Sequence, residues 1–124
     1  MRLLILLGSI FLLSVSAENC NKKNKDKLFK GRLEVAGICM NYTIGILEGK
    51  MDTALFLPSW KDEVTGKTYT DVFKLGSPCN FPSTLKQGDT FYFTIDHEKE
   101  QPCAVCMAYY PAPSRSLRIK VVQP

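Results

Sequence analysis

Two patterns of apolar and polar residues divide the chain. Residues 3–15 form one apolar run that only glycine and serine interrupt. Beyond residue 30, apolar positions recur with a period of two, as Leu33 and Val35 do. This alternation is typical of a β-strand that buries one side in a core and leaves the other in water. The chain is therefore predicted to consist of an apolar leader followed by β-structure.

The β-structure is predicted to comprise six or seven short strands separated by turn residues. No apolar repeat of helical period extends over ten or more residues. Many short strands with turns between them are typical of a small barrel or sandwich. The fold class is therefore predicted to be all-β. The predicted strands are residues 32–35, 41–46, 53–57, 68–75, 90–95, 103–109 and 117–121.

Several positions within this pattern indicate irregular backbone. Gly37 predicts a bulge or a tight turn between the first two strands. Residues 58–60 and 63–67 are predicted to form a loop in which Gly66 suits a positive φ. Asp71 is the polar member of an otherwise apolar strand face. Either Asp71 lies at a sheet edge or Val72 faces the core.

The apolar leader has the features of a signal peptide. Arg2 supplies a positive charge before the run, and small residues at 14–17 form a cleavage point before Glu18. The run is shorter than the roughly 20 residues that span a bilayer as a helix. An uncleaved anchor is the alternative, and no later segment is apolar enough to span. We therefore predict a signal peptide at residues 1–17 and one secreted domain at 18–124.

All five cysteines follow the predicted leader and would meet an oxidising compartment. An odd number predicts two disulfides and one remaining thiol, an outcome with 15 possible arrangements. The remaining cysteine is either a buried spectator or bridges to a second chain as a disulfide-linked dimer. The disulfide candidates are Cys20, Cys39, Cys79, Cys103 and Cys106.

Cys103 and Cys106 have the spacing of a redox motif or of half a zinc site. Redox chemistry of the thioredoxin type needs the first cysteine at a helix N-terminus, and the context here is strand-like. A structural zinc site would need a second matching pair, which the sequence lacks. The two cysteines are therefore predicted to bond to different, distant cysteines.

Charge is concentrated near the predicted mature N-terminus. Removing the leader with Arg2 lowers the formal net charge from +4 to +3. The basic arm, residues 18–30, includes Lys22, Lys23 and Lys25. It either binds an anionic glycan or an acidic protein surface, or is a solvated terminus. No nucleic-acid partner is expected, because aromatic residues do not interleave with these lysines.

Catalytic residues are not evident in the sequence. His97 is the only histidine and lies in the charge-dense segment 96–100, which is predicted to be an exposed hairpin tip. General acid–base catalysis usually needs a histidine or paired carboxylates in a shaped site. The carboxylates of this tip match no calcium loop. No enzyme activity, cofactor or metal site is therefore predicted.

Four other residues are candidates for modification or binding. Asn41, in Asn41-Tyr42-Thr43, fits the N-glycosylation sequon and is predicted to point outward. Trp60 is either a binding residue in an exposed loop or a lid on the core. Tyr109 and Tyr110 form a second candidate contact surface with the same two alternatives.

Three stretches resemble the netrin-like module, the OB-type barrel found in tissue inhibitors of metalloproteinases. They are residues 42–50, Pro78-Cys79 and residues 85–95. The resemblance implies an OB-like fold and, for the inhibitors, a first mature cysteine whose amine and carbonyl chelate the protease zinc. Here Glu18 and Asn19 precede Cys20, so zinc chelation requires cleavage after Asn19.

We expect a secreted, non-enzymatic binding module that acts through surface loops near Trp60 and Tyr109. The alternatives are a netrin-like protease inhibitor and a carrier of a small apolar ligand. A secreted redox enzyme that uses Cys103 and Cys106 is a further alternative.

Overall fold

A computed structural model describes residues 27–98 and 103–123. The predicted leader and most of the basic arm lie outside these residues. The described chain is mostly β-sheet, which confirms the all-β prediction. Its strands are β1 (Phe29–Gly37), β2 (Asn41–Glu48), β3 (Leu57–Lys61), β4 (Thr68–Leu75), β5 (Thr90–Ile95), β6 (Ser116–Leu117) and β7 (Ile119–Val122). Short 3₁₀ turns lie at Ile38–Met40, Thr53–Leu55 and Pro78–Asn80.

The strands form one sheet in the order β3-β4-β2-β1-β5-β7, with antiparallel neighbours. The short β6 lies off this path and pairs in parallel with β4, at Lys74–Ser116 and Leu75–Leu117. A single residue later the chain pairs with β5 as β7. The C-terminal strands thus contact both β4 and β5, although the described sheet is not closed into a barrel.

Aromatic and branched side chains from most strands fill the core. Phe93, at the centre, stacks on Phe29 with ring centroids 5.4 Å apart and meets Phe73 edge-on at 5.9 Å. Such ring pairs add specific geometry to the burial of apolar area. The buried cluster is Phe29, Leu33, Ile44, Met51, Phe73, Leu75, Phe81, Phe91, Phe93, Leu117 and Ile119.

Strand β4 contains the irregularity that its sequence indicated. Asp71 is exposed and has a φ of 53°, whereas Val72 is fully buried. Of the two alternatives, Val72 is therefore the residue that faces inward. Gly66 has the predicted positive φ, 79°, in the turn that precedes β4.

The sequence prediction was wrong for three segments. Residues 53–57 were predicted as a strand, but Thr53–Leu55 forms a 3₁₀ turn because the Asp52 carboxylate accepts the Ala54 N–H. Residues 58–60 were predicted as a loop but belong to β3, which tolerates Pro58 because it lies at the edge of the sheet. Residues 103–109 were predicted as a strand, and the structure assigns them no strand.

No helix within the described residues is long and apolar enough to cross a bilayer.

Candidate binding surface

Two disulfides fix the segment that follows β5. Cys39 bonds to Cys106, with Cα atoms 5.0 Å apart, and Cys79 bonds to Cys103, with Cα atoms 5.8 Å apart. The prediction that Cys103 and Cys106 pair with different, distant cysteines is confirmed. The two bonds attach neighbouring residues to two different turns, and residues 103–115 are assigned no strand, with residues 104–109 exposed. We call residues 103–115 the bridge segment.

The bridge segment exposes apolar side chains. Val105, Met107 and Tyr109 alternate along it and are 38%, 92% and 79% exposed. Ile38, which precedes the bridged Cys39, is 57% exposed. Exposed apolar side chains next to both cysteines of one disulfide are a candidate contact site, because soluble proteins rarely expose large apolar patches. We call Ile38, Val105, Met107 and Tyr109 the apolar surface.

A groove of about 410 Å³ runs beside the Cys39–Cys106 disulfide. It lies between the bridge segment, the turn after β1 and the C-terminal end of β4. Its rim supplies one cationic side chain, Lys74, among apolar residues. The lining includes Met40, Asn41, Leu75, Pro78, Val105 and Tyr109.

The turn at the base of this groove has strained backbone. Cys39 and Met40 both have positive φ, 58° and 61°, although neither is glycine. The left-handed conformation costs roughly 1–2 kcal/mol for each such residue. The turn therefore depends on its tertiary contacts, of which the Cys39–Cys106 bond is the covalent one.

The two predicted tyrosines lie in different environments. Tyr109 is on the apolar surface, whereas Tyr110 is half-buried and its hydroxyl donates to Asp62 Oδ2 at 3.4 Å. Burial and then the Asp62 charge raise the pKa of Tyr110. Asp62 is itself buried and accepts the Val64 N–H at 2.9 Å. Tyr110 thus anchors the bridge segment to the loop after β3.

Trp60 lies within the β3–β4 pair rather than in a loop. Its half-buried ring stacks on Tyr69, with centroids 6.1 Å apart, and the Lys67 amine lies 5.0 Å from the Tyr69 ring centre. The pKa of Tyr69 is raised by burial, followed by the charges of Asp62 and Glu34. Asp62 therefore interacts with both Tyr69, the stacking partner of Trp60, and Tyr110. Tyr109 does not belong to this group and lies on the apolar surface.

Residues 96–98 of the charged segment after β5 are described, and Asp96 is buried rather than exposed as predicted. Asp96 is only 7% exposed and bonds to Arg118 Nη2 at 3.1 Å. The Glu98 N–H and then Arg118 lower the pKa of Asp96 against the opposing effect of burial. His97 and Glu98 are exposed. Among the described residues, no three His, Cys, Asp or Glu side chains are grouped as metal ligands would be.

Several predicted residues lie outside the described part of the chain. They are Cys20, Lys22, Lys23 and Lys25. Conversely, the sequence prediction omitted Ile38, Val105 and Met107 from the candidate contacts. The signal was available in the alternation of residues 105, 107 and 109, but the segment 103–109 was interpreted as a strand.

Comparisons with protein-family models, curated proteins and solved structures found no match to this chain.

Proposed function

We propose that this chain is a secreted, non-enzymatic binding module that holds an extracellular protein on its apolar surface. The observation that carries the proposal is the exposure of Ile38, Val105, Met107 and Tyr109 around one disulfide. Exposing these side chains to water is unfavourable, and a partner that covers them recovers the lost free energy.

The disulfides support a role in binding because they restrain the backbone that presents these residues. A surface restrained before binding loses less conformational entropy when the partner docks. Methionine and tyrosine are enriched at the centres of protein interfaces, and both occur here.

The first experiment locates the contact. A photo-reactive side chain is placed at Met107, and the protein is irradiated in the extracellular fluid of the producing tissue. Val64 is the matched control position, since it is 62% exposed and lies on the turn after β3. We expect one protein to crosslink from position 107 and not from position 64. Equal crosslinking from both positions, or adducts with a second copy alone, would contradict the proposal.

The second experiment measures the contribution of the surface to affinity. Met107→Lys should raise the dissociation constant for the crosslinked partner roughly 30-fold, as for a residue at the centre of an interface. Val64→Lys adds the same charge away from the apolar surface, and its dissociation constant should stay within twofold of the wild-type value. Circular dichroism checks that both variants are folded. Unchanged affinity in folded Met107→Lys would overturn the proposed surface.

A netrin-like protease inhibitor is the second candidate function. The observation that favours it is the sheet, in which β6 and β7 contact β4 and β5 without complete closure. OB-type folds are partly open barrels of this kind. The zinc-chelating mechanism requires Cys20 to be the first residue of the secreted protein. N-terminal sequencing tests this requirement directly, and a start at Glu18 would exclude that mechanism.

A further inference from the structure

The side-chain amide of Asn41 connects two segments that are distant in sequence. Its Nδ2 donates to the carbonyl oxygen of Ile38 at 2.8 Å and to that of Ala108 at 3.0 Å. The first bond stays within the turn after β1, and the second reaches the bridge segment 67 residues away. An amide nitrogen carries two hydrogens, so both are engaged. Asn41 thereby holds the bridge segment against the turn.

Asn41 is also the acceptor residue of the sequon Asn41-Tyr42-Thr43. N-glycosylation joins Nδ2 to C1 of the first sugar of a lipid-linked oligosaccharide pyrophosphate. The C1–O bond breaks, its electron pair leaves on the pyrophosphate, and Nδ2 loses one proton. A glycosylated Asn41 therefore retains one N–H and can make only one of its two hydrogen bonds.

Thr43 provides an independent indication that the sequon is used. Its side chain is fully buried, and its hydroxyl has no hydrogen-bond partner among the described residues. A buried hydroxyl without a partner is destabilising, and valine has nearly the same shape and a high β propensity. The described fold therefore gives no reason for the hydroxyl of Thr43. The sequon does give one, because its third position must be serine or threonine.

We propose that Asn41 carries an N-linked glycan, and that the glycan releases the bridge segment by removing the hydrogen that Asn41 donates to Ala108. Asn41 and Ala108 line the groove and Ile38 does not, so a sugar that replaces the hydrogen facing Ala108 displaces that carbonyl and extends into the groove. The glycoprotein keeps the Cys39–Cys106 bond, so the segment loosens without detaching. Glycosylation thereby sets the mobility of the apolar surface. This inference depends on the secretion assumed in the proposed function.

The test compares glycosylated and unglycosylated protein secreted by the same cells. Thr43→Val removes the sequon, leaves the Asn41 amide intact and removes no hydrogen bond seen among the described residues. Thr43→Ser keeps the sequon and controls for the change at this buried position. Wild type from cells treated with an inhibitor of N-glycosylation gives the unmodified parent sequence. Intact mass reports occupancy, and hydrogen exchange of peptides from residues 107–115 reports mobility.

We expect a sugar adduct on wild type and Thr43→Ser, and none on the other two samples. Exchange over residues 107–115 should be roughly five- to tenfold faster in the two glycosylated proteins, as for loss of one hydrogen bond. Secretion of wild type without an adduct, or equal exchange in all four samples, would overturn the inference alone. Failure of wild type to be secreted would instead count against the proposed function.

Discussion

The buried glycines Gly37 and Gly45 contact different groups, and these groups determine how much stability a substitution by alanine would cost at each position. A Cβ on Gly37 would lie 2.7 Å from the Asn41 carbonyl oxygen and from the Tyr110 ring. A Cβ on Gly45 would meet the carboxylate end of Glu34 at 2.6 Å. A carboxylate on a flexible side chain can rotate away, whereas a backbone carbonyl and an anchored ring cannot.

Gly37→Ala should therefore lower the free energy of unfolding by about 1–3 kcal/mol, the usual cost of overpacking. Gly45→Ala should cost less than about 1 kcal/mol, since alanine also lowers the entropy of the unfolded chain. Urea denaturation of the two variants measures both values. Equal costs would show that Tyr110 is not held in place over Gly37.

Asp96 gives the fold a stabilising contribution that depends on pH. Its pKa is lower in the folded state, so the ionised form stabilises the fold at pH values above the ordinary Asp pKa of about 3.9. That contribution is lost as the pH falls through the lowered value. Asp96→Asn keeps an acceptor for the Glu98 N–H and removes the ion pair with Arg118.

We expect Asp96→Asn to be less stable than wild type at pH 7, with the difference shrinking as the pH is lowered below 4. Urea midpoints across this range measure the effect. Glu98→Gln is the control, because Glu98 is exposed and lies 3.9 Å from Lys120. A constant difference between wild type and Asp96→Asn at all pH values would contradict this assignment.

Among the elements, the strands with clear alternation were predictable. β5 has the predicted bounds because Phe91 and Phe93 alternate into the core, and β4 has them although Asp71 interrupts its alternation. β3 was missed because it is an edge strand that contains Pro58 and buries few side chains, so its sequence does not alternate between apolar and polar residues. The bridge segment was misassigned because period two does not distinguish a paired strand from an extended chain held by disulfides.

The two disulfides should contribute comparably to stability. They join residues separated by 67 and 24 positions. Loop-closure entropy for these separations corresponds to about 4 and about 3.5 kcal/mol. Replacing Cys39 and Cys106 by alanine, or Cys79 and Cys103, should lower the free energy of unfolding by roughly these amounts.

Urea unfolding of the two double variants measures these costs, with reduced wild type as the reference that lacks both bonds. If a double variant is as stable as wild type, the disulfide that it lacks removes no conformational entropy from the unfolded chain, and the prediction is wrong. We expect the Cys39–Cys106 variant also to lose affinity for the partner, because that bond restrains the apolar surface.

At the scale of the whole molecule, the sequence predicted the class of fold better than its site. Period-two patterns and the cysteine count depend on local composition, and they predicted an all-β domain with two disulfides. The apolar surface depends on which cysteines pair, and the spacing of five cysteines leaves that pairing undetermined. The positive φ of Cys39 and Met40 likewise has no local signal, since neither residue is a usual left-handed residue.

The nesting of the two disulfides determines which fragments separate when the backbone is cut. The 79–103 bond lies inside the loop closed by the 39–106 bond, and no cysteine follows residue 106. A single protease cut between residues 40 and 105 should leave the two fragments joined by a disulfide, so that they run as one band on a non-reducing gel. A cut after Tyr109 should instead release a peptide containing β6 and β7 once the protein is denatured. Chymotrypsin digestion, run with and without reductant, would distinguish the two classes of cut by fragment mass.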